Sequence, residues 1–309
     1  MRILFMGTPE FAVPCLDALI KNGYQVCGVV TQPDKPAGRG HKLTPPPVKI
    51  LATENNIEVF QPETLKDFVF QSELEYLKPE MIVVVAYGKI LPEYILNYPK
   101  YGCINMHASL LPKYRGAGPI QWSVINGEEK TGVTSMLMEK GLDTGDMLLK
   151  CETQIGVYET AGELHDRLMV MGAELLIETV KKAENNELVP EKQCDENSCY
   201  APMLSKELAK IDWSASAKAV SKLICGMNPW PVAHTEYKGE TLKIYRAKCG
   251  GSAKGGAGQI VKSDGNGIEI LCGDGNTIVA TEIQFTGSKR MQVRDYLNGH
   301  TIDTGEILK

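Results

Sequence analysis

MIVVVAYGKILP, residues Met81 to Pro92, begins with an unbroken apolar run and breaks at Gly88. Apolar side chains at successive positions suit a strand covered on both faces, as in a parallel sheet, better than the alternating pattern of a half-exposed one. Working outward, Met1 to Gly7 is a second short apolar strand. It leads into GTPEFAVPCLDALIKNG, where Phe11, Leu16, Leu19 and Ile20 suggest one buried helix face. That turn lacks the G-x-G-x-x-G spacing which brings a pyrophosphate to a helix terminus, so no dinucleotide is indicated. A strand at Gln25 to Thr31, a helix at Val48 to Asn55, a strand at Ile57 to Phe60 and a helix at Thr64 to Leu77 continue the alternation. Downstream come a helix from Pro119 to Asn126, strands at Thr131 to Glu139 and Met147 to Cys151, and a long helix from Ala161 to Ala183. The last carries Leu164, Leu168, Met171 and Leu175 at helical spacing. Strands alternating with helices predict an α/β fold, a doubly wound and mostly parallel sheet.

The stretch GCINMHASLLP, Gly102 to Pro112, places an amide, an imidazole and a hydroxyl within five residues. In an extended strand, Asn105 and His107 project from the same face and can converge on one small volume. GLDTGD, Gly141 to Asp146, supplies Asp143 on a Gly-flanked turn. Ligands of open α/β sheets bind outside the carboxyl ends of the strands, where these stretches can meet. Singly, Asn105 is also a turn residue, His107 a core histidine and Asp143 a turn cap. Ser109 has no identifiable base beside it and is not read as a nucleophile. His165 lies beside the apolar stripe of the long helix and reads as structural.

The loop PDKPAGRGHKLTPPPVK, Pro33 to Lys49, carries Lys35, Arg39, Lys42 and Lys49 with His41, and no acidic residue from Lys35 onward. Its prolines argue against helix or sheet pairing. A basic arm on an acidic domain suits a polyanion through phosphate neutralisation. Net charge is -5; residues 1–206 hold 20 basic and 27 acidic side chains, while residues 207–309 hold 13 and 11. The resulting shift from -7 to +2 places the more cationic balance in the second half, which suits an anionic partner or, almost equally, a solvated surface.

A chain of 309 residues with 43% apolar content can bury two cores. The composition changes around Pro190 to Lys206, which is taken as a linker (190–206) between a first domain (1–189) and a second (207–309). The second opens with a helix expected from Trp213 to Met227. Short strands follow at Thr241 to Ala247, Gly258 to Lys262, Gly267 to Cys272 and Thr277 to Phe285, then a helix at Gln292 to Asn298. Short strands with Gly-rich turns and no crossover helices suggest a small oligonucleotide-binding (OB) type of barrel. Trp230 either stacks on RNA or is buried at the barrel entrance. Nine cysteines without a C-x-x-C pair read as reduced thiols, and no metal site is expected. No apolar run is long enough to span a bilayer and the amino terminus enters a strand directly, so a cytoplasmic location is expected.

Asn105-x-His107-x-Ser109-Leu110-Leu111-Pro112, followed by Gly141-Leu142-Asp143-Thr144-Gly145-Asp146, resembles the signature of the folate-dependent formyltransferases. MGTPEFA at 6–12, TQPDKPAGRGHKL at 31–43, YRGAGPIQW at 114–122 and NPWP at 228–231 extend the resemblance over nearly the whole chain. It implies a Rossmann-like formyltransferase domain with a smaller barrel. It further implies transfer of a formyl group from 10-formyltetrahydrofolate to the α-amino group of methionyl initiator tRNA, for translation initiation, by a catalytic trio of Asn105, His107 and Asp143. Ser109, Leu110, Leu111 and Pro112 would form one folate wall, and Ala86, Tyr87, Gly88, Ile90 and Leu91 the other. Lys35, Arg39 and Lys42 would contact tRNA, with Arg39 the first choice. A monomer is expected. The competing readings are a formyltransferase for a small amine such as a sugar nucleotide, a hydrolase releasing formate from the same folate, and an RNA-binding protein on a silent α/β domain.

Overall fold

The computed structural model describes residues 1–37 and 42–309. The chain divides into two compact units, each discontinuous in sequence: residues 1–116, 132–153 and 165–200, and residues 117–131, 154–164 and 201–309.

The first unit is built on a seven-stranded sheet. Its strands are β1 (Arg2–Gly7), β2 (Gln25–Val30), β5 (Val59–Phe60), β6 (Met81–Val85), β7 (Cys103–His107), β8 (Lys130–Leu137) and β9 (Met147–Gln154); β3 and β4 are described below. They lie in the order β5-β2-β1-β6-β7-β8-β9. Every pairing from β5 to β7 is parallel, and β8 runs antiparallel to β7. All five residues of β6 are buried, as its unbroken apolar sequence requires. The helices of this sheet include α1 (Val13–Lys21), α2 (Pro47–Glu54), α3 (Gln71–Leu77) and α4 (Glu93–Leu96). Leu74, Leu77 and Ile95 from the last two join Leu4, Met6, Ile82 and Val84 in one apolar cluster. The helix expected from Thr64 begins only at Gln71, because Asp67 and Phe68 stand at φ 54° and 58°, the left-handed region, which no α-helix continues through.

The proline-rich stretch departs from expectation. Lys35–Ala37 (β3) pairs antiparallel with Lys42–Thr44 (β4), with Pro36 opposite Leu43. A two-stranded ribbon has two free edges, so a proline lacking its N–H can sit where no ladder bond is demanded. Pro46 then flanks α2 and Pro47 is its first residue, where the missing N–H costs nothing. Lys49 is not a free cation. Its ammonium donates to both Asp34 oxygens, at 2.8 and 2.9 Å, and to Gln61 Oε1 at 2.7 Å. Gln61 Nε2 in turn donates to Asp34 Oδ1 and to the Gln32 carbonyl, each at 2.8 Å. The base of the hairpin is therefore clamped to the ends of β2 and β5.

The second unit holds α5 (Pro119–Ile125), α7 (Ala217–Gly226) and an antiparallel sheet. The sheet contains β10 (His234–Tyr237), β11 (Glu240–Ser252), β12 (Ile260–Asp264), β13 (Gly267–Leu271) and β14 (Asn276–Phe285), in the order β10-β11-β14-β13-β12; β15 (Met291–Gln292) pairs with β14 ahead of α8 (Val293–Tyr296). The carboxyl-terminal segment joins the two ends of this order. Glu236 exchanges both backbone bonds with Lys309, while Ile260 N donates to Glu306 O at 2.8 Å and Leu308 N to Gly258 O at 2.9 Å. The sheet thus closes on itself, as the expected barrel does, with β10 and the last five residues as members that the sequence pattern did not reveal. Trp213 is not in a helix. Its indole is buried, donating to Thr235 Oγ1 at 2.9 Å, and α7 starts after Ser216, whose hydroxyl accepts from Ala219 N. Trp230 is 55% exposed, which rules out the buried alternative. The helix α6 (Ala161–Glu184) contributes its portion from His165 onward to the first unit. There His165 packs its ring 5.3 Å from Phe11 and faces Asp166, a structural setting.

Candidate active site

Parallel pairing of β6 with β7 sets Val84 opposite Asn105 and brings the carboxyl ends of both strands to one edge of the sheet. Asn105 and His107, two apart on β7, share a face, and Asp143 reaches them from the turn between β8 and β9. Asn105 Nδ2 donates to Asp143 Oδ1 at 3.4 Å, and His107 Nδ1 lies 3.6 Å from Asp143 Oδ2. The three expected residues converge within the first unit. His107 is buried and Asn105 half-buried.

The other ring nitrogen fixes the imidazole. His107 Nε2 lies 2.8 Å from the Tyr114 carbonyl oxygen; a carbonyl only accepts, so the proton in that contact sits on Nε2. The remaining exchangeable position, Nδ1, faces Asp143 across a gap longer than a hydrogen bond. Asp143 Oδ2 also accepts from Gly116 N at 2.9 Å. Alternate residues of YRGAG thereby hold the site: Tyr114 holds the imidazole and Gly116 the carboxylate.

Asp143 itself stands at φ 52°. A left-handed non-glycine backbone costs about 1–2 kcal/mol and persists where its surroundings fix it. They do so here. Gln193 Nε2 donates to the carbonyls of Asp143 and of Gly145, each at 2.8 Å, while Gln193 Oε1 accepts from Arg115 Nε at 2.9 Å. At Gly145 a Cβ would meet the Leu137 carbonyl at 1.9 Å, so only glycine lets the turn close against β8. Gln193 falls in the stretch taken as a linker, where no motif marks it. Its one signal in the sequence is an amide set among charged residues.

The expected folate walls are placed unevenly. Ser109 is fully buried and its hydroxyl donates to the Lys113 carbonyl at 2.6 Å, so it holds a turn. Leu111 packs with Met136 and Met147, while Leu110 and Pro112 are half-buried. On the other side, Tyr87 and Leu91 turn inward among the apolar cluster beneath β6; burial pushes the Tyr87 phenol up to about 12. The Tyr87 carbonyl accepts from Gln32 Nε2 at 3.1 Å. Ala86, Gly88 and Ile90 are exposed, Ile90 to 84%. Of the tRNA candidates, Lys35 is exposed on β3, Lys42 begins β4, and Arg39 lies outside the described residues.

Among the described residues no cluster of three His, Cys, Asp or Glu side chains could hold a metal, and no helix is long and apolar enough to cross a membrane.

Residues 1–180 match the formyl transferase family and residues 203–301 the formyl transferase C-terminal domain. A methionyl-tRNA formyltransferase of Alkaliphilus oremlandii is 55% identical over all of this chain and 99% of its own length. One of Clostridium novyi is 51% identical, with both chains fully covered. Among solved structures, an N-formyltransferase of Helicobacter canadensis, in complex with folinic acid and dTDP-3-aminofucose, shares the fold at a TM-score of 0.68 and 21% identity. It covers 90% of this chain and 98% of its own.

Proposed function

This chain belongs to the formyl transferase family, and we propose that within it the chain formylates the α-amino group of methionyl initiator tRNA for translation initiation. The co-substrate is 10-formyltetrahydrofolate, which supplies the formyl carbon. The observation that carries the reading is the convergence of Asn105, His107 and Asp143 in a chain matching methionyl-tRNA formyltransferases over its entire length.

As the methionyl amine attacks the formyl carbon, negative charge gathers on the formyl oxygen. The half-accessible Asn105 amide on β7 donates to that oxygen. The nitrogen that attacks must lose a proton and the folate nitrogen that leaves must gain one. His107 moves it at Nδ1, the position its bond to Tyr114 leaves available, and Asp143 faces the same atom and holds the ring's orientation. Leu110, Pro112, Ala86, Gly88 and Ile90 offer the surface for the folate, backed by Ser109, Leu111, Tyr87 and Leu91. Lys35 on β3 and Lys42 on β4, together with Arg39, contact the tRNA acceptor end, and the barrel adds phosphate contacts. The functional division follows the chain: transfer over 1–189, a connecting segment at 190–206, tRNA binding over 207–309. The enzyme works in the cytoplasm as a monomer.

A sugar-nucleotide amine is the alternative acceptor, but the relatives above 50% identity bear the methionyl-tRNA name and the sugar-bound structure shares the fold alone. With 10-formyltetrahydrofolate present, the expected product is formylmethionyl initiator tRNA. Formylation of an amino-sugar nucleotide alone, or formate release with no acceptor preference, contradicts this reading.

A further inference from the structure

We infer that Gln193 is a positioning residue of the formyl-transfer site, acting through Asp143. The inference rests on the reading of Asn105, His107 and Asp143 as the reacting cluster.

Glu191, Lys192 and Cys194 to Asn197 are exposed, whereas Gln193 between them turns inward. It is set in register by Glu191, which exchanges two backbone bonds of 2.8 Å with Met147 at the start of β9. From there the Gln193 amide spans the Asp143 turn, donating to the carbonyls of Asp143 and Gly145 and accepting from Arg115 Nε. The Arg115 guanidinium is itself 12% exposed and donates to Asp195 at 2.8 Å. Arg115 precedes Gly116, whose N–H holds the Asp143 carboxylate. Asp143 is thus gripped at both ends, by Gly116 at its side chain and by Gln193 at its backbone, and Arg115 joins the two grips. A side chain that binds both carbonyls of a left-handed turn sets the direction in which the central side chain points. Only an amide, or another group carrying two N–H donors and an acceptor, satisfies the three partners at once. Gln193 touches neither His107 nor Asn105, so its effect on catalysis passes through the aim of the Asp143 carboxylate.

Gln193→Glu keeps the size and the Arg115 partner but removes both donors. The expected result is a kcat lower by about 10-fold, with KM for tRNA and for 10-formyltetrahydrofolate within about twofold of wild type, the scale of one or two lost hydrogen bonds. In an Asp143→Ala background the same substitution causes no further loss, because the group it aims is gone. Arg115→Lys, which keeps a cation for Asp195 but loses the Nε geometry, gives a smaller kcat loss with the same non-additivity and stands in should Gln193→Glu fail to fold. Folate binding and thermal melting report folding independently. Wild-type kcat in Gln193→Glu, or a loss that multiplies with that of Asp143→Ala, overturns the inference. Wild-type enzyme that does not formylate methionyl-tRNA overturns the functional reading instead.

Discussion

Asn105 is half-buried in β7 and its amide bonds Asp143 only at 3.4 Å, so its N–H is held loosely where a reacting oxygen can take it. Removal of one such preorganised donor costs about 100- to 1,000-fold in rate. Asn105→Ala is therefore expected to lose that much kcat while binding folate and tRNA as wild type does, measured by single-turnover transfer beside equilibrium binding. The Asn105–His107 pair was legible in the sequence because the two are two apart on a strand, a spacing that fixes their shared face, and Asp143 joined them through the resemblance of GLDTGD to the formyltransferase signature. Gln193 was not. Its partners are backbone carbonyls fifty residues away, and carbonyls leave no mark on a sequence. Tyr87 and Leu91, which follow β6 past a left-handed Ala86 at φ 47°, have their side chains in the apolar cluster, a burial the sequence alone did not mark.

The hairpin shows why prolines misled at the level of the element. Prolines argue against pairing, yet Pro36 occupies a ribbon with free edges and Pro47 a helix start, two settings where the missing N–H is not demanded. The pairing in turn depends on Lys49, whose bonds to Asp34 and Gln61 clamp its base. Lys49→Met is expected to raise KM for tRNA several-fold and leave folate binding unchanged. The effect has a definite pH range. Bonds from Lys49, and then from Gln61, hold the Asp34 carboxyl below its ordinary value, so the clamp is intact above the usual carboxylate range and is lost only as pH falls through the lowered one. The Lys49→Met deficit in tRNA use should consequently be constant from pH 6 to 9. A deficit that vanished within that interval would remove the clamp from the account. The long, strongly patterned strands and helices emerged from periodicity alone, whereas β10 and the carboxyl-terminal strand did not. Those two pair across the whole length of the second unit, and a sequence pattern carries no signal for a partner so distant.

At the scale of the molecule, the second unit includes α5, far ahead of the barrel in sequence. Trp122 and Ile125 pack against its core, and a Cβ at Gly226 would meet Ile125 at 2.3 Å, so α5 and α7 lie in close contact. Cutting the chain at residue 206 strips α5 of its cover. The fragment 1–206 is expected to aggregate or melt well below the whole protein, and a fragment with wild-type melting would refute this packing argument. Burial pushes the thiols of Cys15, Cys103 and Cys272 up to about 12 and that of Cys225 to about 11, from 9.0. A raised folded value favours the folded state fully below pH 9, and the advantage fades as pH rises through it, because unfolded thiols ionise first. Stability in urea should hold to about pH 9 and then fall, each buried thiol contributing at most about 1.4 kcal/mol per pH unit. Cys272→Ala should make that fall shallower.

The central claim is that this site formylates methionine on initiator tRNA. Its most direct test is transfer of labelled formyl from 10-formyltetrahydrofolate to charged initiator tRNA, with charged elongator methionyl-tRNA as the parallel acceptor and Asn105→Ala as the parallel enzyme. Wild type is expected to transfer rapidly to the initiator and little to the elongator, and the variant about 100- to 1,000-fold more slowly. Equal transfer by wild type and Asn105→Ala, or none to initiator tRNA, would contradict it.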